Sequence, residues 1–556
     1  MTASTTPRTG GQILVDQLRL HGTEDVFCVP GESYLAVLDA LYDTDIKLVV
    51  ARQEGGAAMM AEAAGKLSGR PGICMVTRGP GAANASAGLH IADQDSTPMI
   101  LFVGQVARDM TDREAFQELD YRAVFGSMAK WVVEIQDAAR IPELIRRAFQ
   151  VATQGRPGPV VVALPEDMLT DVVSVADAAP YSPVLAHPAP EAMQTLKARL
   201  EAAKAPVLLL GGSGWSAEAV ADMADFADRW DLPAFVTFRR QMLFPADHRC
   251  YGGDLGIGPN PKLLARIKAA DLILLVGGRL SEMPSQSYSL LDIPGDGARL
   301  VHVHPGAEEL NKVYHAGLGI QAAPTTFAAA LRALSPDTAP CWAGAAEAAH
   351  AAYLDWSDPA RITIPGDVQM GAVMQTLIAT LPADSILCNG AGNYATWVHR
   401  FWPFRLFGTQ LAPTSGSMGY GVPAAVGGRQ VAPSRTVVAF AGDGCFLMHG
   451  QEFGTAVQYG LKLLVIVVDN AMYGTIRMHQ AREYPGRPSG TMMQSPDFAA
   501  LARAYGGHGE TVETTDAFAP ALERALAADG PALIHIRISP EAITPSLTLS
   551  QIEGGK

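Results

Sequence analysis

Short apolar runs recur along the chain and alternate with segments whose pattern is helical. Clear examples are residues 160–164, 207–210, 272–276 and 532–536, which are rich in Val, Ile and Leu. Continuous apolar strands separated by helices are typical of parallel sheets that are covered on both faces. The pattern therefore predicts an α/β protein made of doubly wound parallel-sheet domains.

Proline-rich stretches at residues 179–190 and, less sharply, at 336–340 have the composition of linkers. A chain of 556 residues is too long for one core, and roughly three domains are expected at this length. We predict an N-terminal domain at 1–180, a middle domain at 190–340 and a C-terminal domain at 360–550.

Composition and charge narrow the class of protein. The chain is 48% hydrophobic and 18% charged, and its formal charge of −14 argues against nucleic acid or an anionic membrane as a partner. No apolar run reaches the ~18 residues of a membrane span, and residues 1–10 lack the apolar core of a signal peptide. Six cysteines are scattered without metal-like spacing. We therefore expect a cytoplasmic protein with reduced, buried thiols.

The strongest local signal is a Gly-Asp-Gly motif at 442–444, which follows a strand-like segment. An amphipathic stretch at 445–460 comes next, and a second apolar run at 463–468 ends just before Asn470. Glycines let the backbone turn sharply and approach a ligand closely, and the N-terminus of the following helix favours an anion.

Asp443 and Asn470 each follow a predicted strand, so their side-chain oxygens could hold a cation together. Mg²⁺ usually takes one or two protein oxygens and completes its coordination with waters and substrate phosphates. The segment therefore predicts a site for a magnesium diphosphate. An ordinary βαβ unit with a turn aspartate is the alternative.

A second candidate site lies in the first domain. The apolar residues 48–50 are followed by Glu54, and residues 55–65 form a helical pattern made almost entirely of small side chains. Small side chains allow close packing against another element or subunit. A carboxylate desolvated at such a contact can hold or share a proton. Alternatively, Glu54 is a helix-start carboxylate favoured by the helix dipole.

Two further segments of this domain carry polar groups at strand ends. A Gly-Pro-Gly turn at 79–81 follows the predicted strand 73–77, at the kind of position where doubly wound sheets bind ligands. Gln117 follows the strand 99–103 and places an amide donor beside an apolar residue.

Together these motifs resemble those of the thiamine-diphosphate-dependent enzymes of the pyruvate decarboxylase and acetolactate synthase superfamily. The segment Arg-Gln-Glu54-Gly-Gly-Ala-Ala looks like the catalytic glutamate motif of that family. The Gly-Asp-Gly at 442–444 with Asp-Asn at 469–470 looks like its cofactor motif, with Asp469 in place of the usual first asparagine. The resemblance covers about residues 11–543 and is strongest to acetolactate synthase large subunits. The segments that carry this closer likeness are 78–84, 104–106, 115–118 and 417–425.

The resemblance implies a pyrimidine-binding, a middle and a diphosphate-binding domain, with thiamine diphosphate and Mg²⁺ as cofactors. It implies that Glu54 reaches N1′ of the aminopyrimidine from the partner subunit, in a homodimer or homotetramer with active sites at the subunit interface. Asp443, Asn470 and the carbonyl of Met472 match the Mg²⁺ ligands. Met418 matches the residue that bends the cofactor, or is a core methionine. Other positions that match the family's cofactor contacts are Gly31, Asn84, Asn393, Tyr394, Gly442, Gly444, Cys445 and Tyr473.

The implied activity is decarboxylation of a small 2-oxo acid, followed by joining of the remaining fragment to a second carbonyl. Gln117 and the backbone around Gly31 would orient the substrate oxygen. Glu32 stands where acetolactate synthases usually have a small residue. It would repel a 2-oxo acid carboxylate or act as an extra acid or base, unless it is only a helix-start carboxylate. His479 stands at the position of the tryptophan that shapes the acceptor pocket in biosynthetic acetolactate synthases. With Arg477 it could line a polar or anionic pocket, or belong to a solvated basic turn.

Three rival functions remain beside this one. A carbon–carbon lyase or hydrolase acting on a hydroxyketone or diketone would suit Glu32 and His479. An acyl-CoA decarboxylase or lyase is disfavoured because no clear basic site for the CoA phosphates is visible. A non-catalytic cofactor-binding protein is disfavoured by the retention of Glu54, Asp443 and Asn470.

The middle domain raises the question of a flavin. Glycine-rich strand ends at 211–214 and 276–279 match positions that contact FAD in flavin-containing relatives. The usual Met-His-Gly is replaced at 256–258, and an acidic pair is replaced by Ser281-Glu282. FAD is possible on this resemblance, but these departures disfavour it.

Overall fold

The computed structural model describes residues 6–295 and 297–555. Three six-stranded sheets follow one another along the chain, and every strand in them runs parallel to its neighbours. Helices separate the strands in sequence, and most strands are buried. The α/β architecture predicted from the sequence is thus confirmed. Each sheet lies inside one of the segments predicted as domains, whose exact boundaries stay a prediction.

The first sheet has the strand order β3-β2-β4-β5-β7-β6, and a short antiparallel pair, β1 with β8, lies apart from it. The strands of the first domain are β1 (Arg8–Thr9), β2 (Asp25–Cys28), β3 (Lys47–Val50), β4 (Gly72–Val76), β5 (Met99–Gln105), β6 (Trp131–Glu134), β7 (Pro159–Pro165) and β8 (Val172–Val173). Its helices are α1 (Gly10–Leu20), α2 (Leu35–Tyr42), α3 (Glu54–Ser68), α4 (Pro80–Asp95), α5 (Tyr121–Phe125) and α6 (Ile141–Thr153).

The second sheet has the order β11-β10-β9-β12-β13-β14 and begins after an irregular, proline-rich linker. Its strands are β9 (Pro206–Leu210), β10 (Ala234–Thr237), β11 (Tyr251–Leu255), β12 (Leu272–Val276), β13 (Leu300–His304) and β14 (Leu318–Gln321). Its helices are α7 (Pro190–Ala202), α8 (Ala217–Trp230), α9 (Pro261–Ala269), α10 (Pro324–Leu331) and α11 (Ala345–Trp356).

The third sheet has the order β16-β15-β17-β18-β20-β19. Its strands are β15 (Ile386–Asn389), β16 (Gln410–Leu411), β17 (Val437–Gly442), β18 (Leu464–Asp469), β19 (His508–Val512) and β20 (Ala532–Arg537). Its helices are α12 (Met370–Thr380), α13 (Ala395–Phe401), α14 (Gly421–Val431), α15 (Asp443–His449), α16 (Glu452–Gln458), α17 (Gly474–Glu483), α18 (Phe498–Ala504), α19 (Thr515–Ala527) and α20 (Leu549–Gly554). The amphipathic stretch 445–460, expected as one helix, is divided into α15 and α16 at Gly450–Gln451.

Helix α3 packs closely against α4 and α14 because its side chains are small. A Cβ atom added at Gly88 of α4 would lie 2.5 Å from the Cβ of Ala58, and one at Gly427 of α14 would lie 2.4 Å from the carbonyl oxygen of Met60. The small residues of the predicted helix therefore serve a contact within one chain, between the first and third domains.

Buried polar groups reinforce the contact between these two domains. The carboxylate of Glu452, in α16, accepts hydrogen bonds from the backbone N–H groups of Arg52 and Gln53 at 3.0–3.1 Å. Glu62, in α3, accepts from the Tyr420 hydroxyl and forms an ion pair with Lys66 at 3.0 Å. Because buried acceptors are costly when unpaired, these bonds fix how the start of α3 sits on the third domain.

In the part of the chain that the structure describes, no helix is both long and apolar enough to cross a membrane.

Substitution of Gly427 by alanine tests the contact of α3 with α14. The new methyl group would meet the backbone of Met60, which cannot move without shifting α3, so we expect a loss of about 1–3 kcal/mol. The matched control is Gly428→Ala in the same helix, where the nearest atom is the mobile Cδ1 of Leu411 at 3.1 Å. Thermal unfolding followed by circular dichroism should show a lower midpoint for Gly427→Ala alone. Equal midpoints for the two variants would contradict this packing.

Candidate active site

Glu54 and Asn84 lie together at the carboxyl edge of the first sheet. Glu54 is the first residue of α3, and Gln53 caps that helix by accepting a hydrogen bond from Gly56 N. Asn84 Nδ2 donates to Glu54 Oε2 at 2.9 Å. The other carboxylate oxygen, Oε1, points toward the Gly-Pro-Gly turn, since a Cβ at Gly81 would lie 3.4 Å from it. Among the described residues, the Asn84 amide thus holds Oε2, and Oε1 accepts no hydrogen bond.

Gln117 lies against the Gly-Pro-Gly turn, as its position after β5 predicts. Gly79 has φ +56°, and a Cβ there would lie 2.8 Å from the Cβ of Gln117, so only glycine fits. The hydroxyl of Tyr121 accepts a hydrogen bond from Gly79 N at 3.1 Å. The turn is held from both sides, and Gln117 shares its edge of the sheet with Glu54.

Glu32 pairs with an arginine of its own chain. Gly31 approaches β4 so closely that a Cβ would lie 2.3 Å from the Cβ of Thr77. Glu32 Oε1 accepts from Arg78 at 3.1 Å, and Arg78 also donates to Glu166 at 2.7 Å. Glu32 begins a single turn of 3₁₀ helix and is 67% exposed. The arginine offsets the negative charge that was expected to repel an anionic substrate.

We call these residues the glutamate half-site: Gly31, Glu32, Glu54, Asn84 and Gln117.

Asp443 lies at the carboxyl edge of the third sheet, where β17 gives way to α15. Its Oδ1 accepts from Gly444 N at 2.8 Å, and its Oδ2 accepts from Met472 N at 3.1 Å. The loop after β18 therefore folds back onto Asp443 and carries Asn470 beside it. Ala471 in this loop has φ +57°, an uncommon conformation for a residue with a side chain.

Asp469 fixes the base of this loop. Its Oδ2 bonds to Nε2 of the fully buried His535 at 2.8 Å, and its Oδ1 accepts from Ser495 Oγ and Ala471 N, both at 2.8 Å. Burial alone would raise the pKa of Asp469, but these hydrogen bonds lower it to about 2. Burial raises the pKa of Asp443 to about 7, and the neighbouring Asp469 contributes to that rise. A cation at Asp443 would reduce the electrostatic repulsion between the two carboxylates.

The glycines of the Gly-Asp-Gly motif are required by two tyrosine rings and not by backbone conformation. Gly442 has φ −84°, and neither glycine of the motif has positive φ. A Cβ at Gly442 would lie 2.7 Å from the ring of Tyr394, and one at Gly444 would lie 2.8 Å from the ring of Tyr473. The expectation that these glycines serve a sharp backbone turn was therefore wrong. Both tyrosines lie directly beside the motif.

Cys445 links Tyr394 to the segment that carries Met418. Its Sγ lies 3.0 Å from the Tyr394 hydroxyl and accepts from Gly419 N at 3.1 Å. Met418 itself is partly buried and packs against the core of the third domain. We call Asn393, Tyr394, Met418, Asp443, Cys445, Asn470, Met472 and Tyr473 the aspartate half-site.

A cavity of about 990 Å³ is lined by residues of all three domains and reaches Asn393 of the aspartate half-site. His479 lines it, whereas Arg477 is buried elsewhere in an ion pair with Glu553 at 2.6 Å. Of the two basic residues considered for a substrate pocket, only His479 reaches the cavity. The glycine-rich turns of the middle domain also line it, and a Cβ at Gly212 would lie 1.9 Å from the carbonyl oxygen of Gly277.

The donor set at Asp443 suits magnesium better than a softer metal. Within residues 6–295 and 297–555, no group of three or more His, Cys, Asp or Glu side chains could hold a metal ion. Asp443, Asn470 and the Met472 carbonyl offer instead a carboxylate, an amide and a backbone oxygen. Hard oxygen donors in this number, completed by phosphate oxygens, are what Mg²⁺ prefers. The residues present therefore fit a magnesium diphosphate.

Sequence reasoning missed the partners of Asp469. His535 is a lone polar residue in the apolar run 532–536, and that interruption was the available signal. Ser495 lies in an irregular segment without a distinctive pattern.

Comparisons with known proteins identify the family of this chain. Three family models match along the chain: the N-terminal TPP binding domain of thiamine pyrophosphate enzymes at residues 8–124, their central domain at 193–334 and their C-terminal TPP binding domain at 390–536. The acetolactate synthase isozyme 2 large subunit of Escherichia coli is 31% identical over 95% of both chains. The acetolactate synthase large subunit of Parasynechococcus marenigrum is 30% identical over 95% of this chain and 87% of its own. The acetolactate synthase of Bacillus subtilis is 29% identical over 95% and 93%. The chain therefore belongs to the thiamine pyrophosphate enzyme family, as a homologue of acetolactate synthase large subunits.

Proposed function

We propose that this protein is a thiamine-diphosphate- and Mg²⁺-dependent enzyme that decarboxylates a 2-oxo acid and joins the remaining fragment to a second carbonyl. The observation that supports this most is that hydrogen bonds hold the carboxylate of each half-site in place. Glu54 is held at one oxygen by Asn84, and Asp443 is held against the loop that carries Asn470 and Met472. These are the residues that the catalytic motifs of the family require.

Each half-site has a distinct task in this proposal. Bound thiamine diphosphate would supply a nucleophilic carbon and an electron sink for decarboxylation. Asp443, Asn470 and the Met472 carbonyl would hold Mg²⁺ and the diphosphate. Glu54 would keep a proton at Oε1 on the pyrimidine side, while Asn84 fixes the orientation of Oε2. Gln117 would donate a hydrogen bond to the substrate oxygen.

We further propose that the two halves of each active site come from different subunits. Among the described residues no hydrogen bond or ion pair joins the two half-sites of one chain; its first and third domains meet instead through α3, α14 and Glu452. Large apolar side chains are exposed beside each half-site, with Phe116 73%, Leu447 46% and Met448 42% exposed. A second copy of the chain would cover them and would complete the site in a homodimer or homotetramer. We place this assembly in the cytoplasm.

A carbon–carbon lyase or hydrolase acting on a hydroxyketone or diketone is the second candidate. The polar side chain of His479 in the cavity favours it, since the position matches a tryptophan in acetolactate synthases. Products separate the two candidates, because a carboligase forms a carbon–carbon bond and a lyase or hydrolase breaks one.

Incubation with thiamine diphosphate, Mg²⁺ and pyruvate, with products read by proton NMR, tests the proposed function. We expect consumption of pyruvate with release of CO₂ and formation of acetolactate or acetoin. Glu54→Gln should lower the rate about 100-fold or more, since it removes a proton-holding group. The matched control is Glu523→Gln, an exposed residue of α19, which should keep the parent's rate. A Glu54→Gln variant as fast as the parent would refute the mechanism.

We propose that the reaction needs no flavin. The cavity could admit a large cofactor, but two of the arginines on its middle-domain side are already engaged: Arg239 donates to the carbonyls of Pro413 and Gly390, and Arg240 donates to those of Gly212 and Asp95. Fewer N–H groups are then left for a nucleotide diphosphate. The purified protein should show no flavin absorption bands, even after incubation with FAD. Stable flavin bands at one per chain would contradict this proposal.

A further inference from the structure

One face of helix α17 forms a wall of the cavity beside the aspartate half-site. Thr475, Met478, His479 and Arg482 all line the cavity. Their spacing of three and four residues places them on a single helical face. This wall begins at the aspartate half-site, to which Asn393 belongs. Thr475 Oγ1 donates to Asn393 Oδ1 at 2.9 Å, and Asn393 Nδ2 lies 3.5 Å from Met478 Sδ.

The rotation of α17 about its axis is set by contacts on its other faces. Arg477 is buried against Glu553 of α20, and Ala481 is fully buried. Gln480 is hydrogen-bonded to Ser489 and Thr491. The helix cannot turn Arg477 into the cavity without breaking these contacts, so His479 and Arg482 are the basic residues presented there.

Arg482 is a cation without a counter-ion, and His479 beside it has no polar partner among the described residues. In the described part of the chain, neither side chain makes a hydrogen bond or an ion pair, and both are exposed to the cavity and its solvent. Several other exposed arginines of the protein do pair with carboxylates, such as Arg249 with Asp228 and Arg332 with Glu218.

The rest of the cavity is also rich in positive charge, although the whole chain carries −14. Its other lining arginines are Arg239, Arg240, Arg279 and Arg400, and its acidic lining residues are Asp95, Asp254 and Glu282. Asp95 is neutralised by Lys66 and Arg240, and Asp254 is engaged by Gln241. A locally positive cleft in a negative protein concentrates anions.

Helix geometry gives the distance between this charge and Thr475, which bonds to Asn393 of the aspartate half-site. A rise of 1.5 Å per residue places His479 about 6 Å and Arg482 about 10 Å along the axis from Thr475. An anionic group bound there would therefore be the far end of an extended substrate. It would not be the carboxylate next to the reacting carbonyl.

We propose that the natural substrate is a 2-oxo acid with a second carboxylate at its far end, and that Arg482, aided by His479, binds this distal group. The inference rests on the proposed function and names its substrate class. The guanidinium of Arg482 offers the paired N–H groups that match a carboxylate.

Two acids of equal length test the proposal: 2-oxoglutarate, which has a distal carboxylate, and 2-oxopentanoate, which has a methyl group there. Binding of each acid to the cofactor-free protein is measured by calorimetry, and kcat/KM is measured with thiamine diphosphate and Mg²⁺. We expect the parent to prefer 2-oxoglutarate in both measurements. Arg482→Gln should reduce that preference about tenfold or more and leave 2-oxopentanoate unchanged, while Arg482→Lys should restore part of it.

Arg487→Gln is the control, because it removes the same charge from an exposed position outside the cavity and should leave the preference intact. No preference in the parent, or an equal loss for both acids in Arg482→Gln, would overturn the distal-carboxylate site. If the parent binds 2-oxoglutarate more tightly than 2-oxopentanoate but turns over neither acid, the proposed function would be overturned instead.

Discussion

The contact of helix α3 with α4 and α14 fixes where the catalytic groups of this protein can be. Glycine and alanine along α3 let three helices approach to the distance of backbone atoms. The start of α3 is then tied down by the carboxylate of Glu452, which accepts from the backbone just before Glu54. A larger side chain along this interface would push the first domain from the third. It would also move Glu54 with it, because Glu54 is the first residue of the helix.

Parallel sheets account for the rest of the arrangement. Their carboxyl ends meet at one edge, so residues far apart in sequence, such as Glu54 and Gln117, are brought to the same edge. In the third sheet the same rule places Asp443 beside the loop of Asn470. The second carboxylate, Asp469, is tolerated there because His535 and Ser495 donate to it. Its charge in turn makes the vicinity of Asp443 more favourable for a cation.

Much of this was accessible from the sequence, because it depends on local pattern. Apolar runs mark strands such as 272–276. Glu54 and Asp443 come just after strands, which predicts that each lies at the carboxyl edge of its sheet. The exact reason for the Gly-Asp-Gly motif was not accessible, since the rings that exclude a side chain at Gly442 and Gly444 come from Tyr394 and Tyr473. The face of α17 was equally hidden. Helical spacing groups His479 with Arg482, but only the ion pair of Arg477 with Glu553 shows which face meets the cavity.

The most direct test of the account is whether one active site draws on two chains. Subunits carrying Glu54→Gln and subunits carrying Asp443→Asn are co-expressed with different tags, and the mixed assembly is isolated on both tags. If the glutamate and aspartate half-sites meet across the subunit interface, each mixed dimer holds one site with both groups intact, and activity returns although either variant alone is inactive. An inactive mixed assembly that still binds thiamine diphosphate would mean that both halves come from the same chain, and would contradict the account.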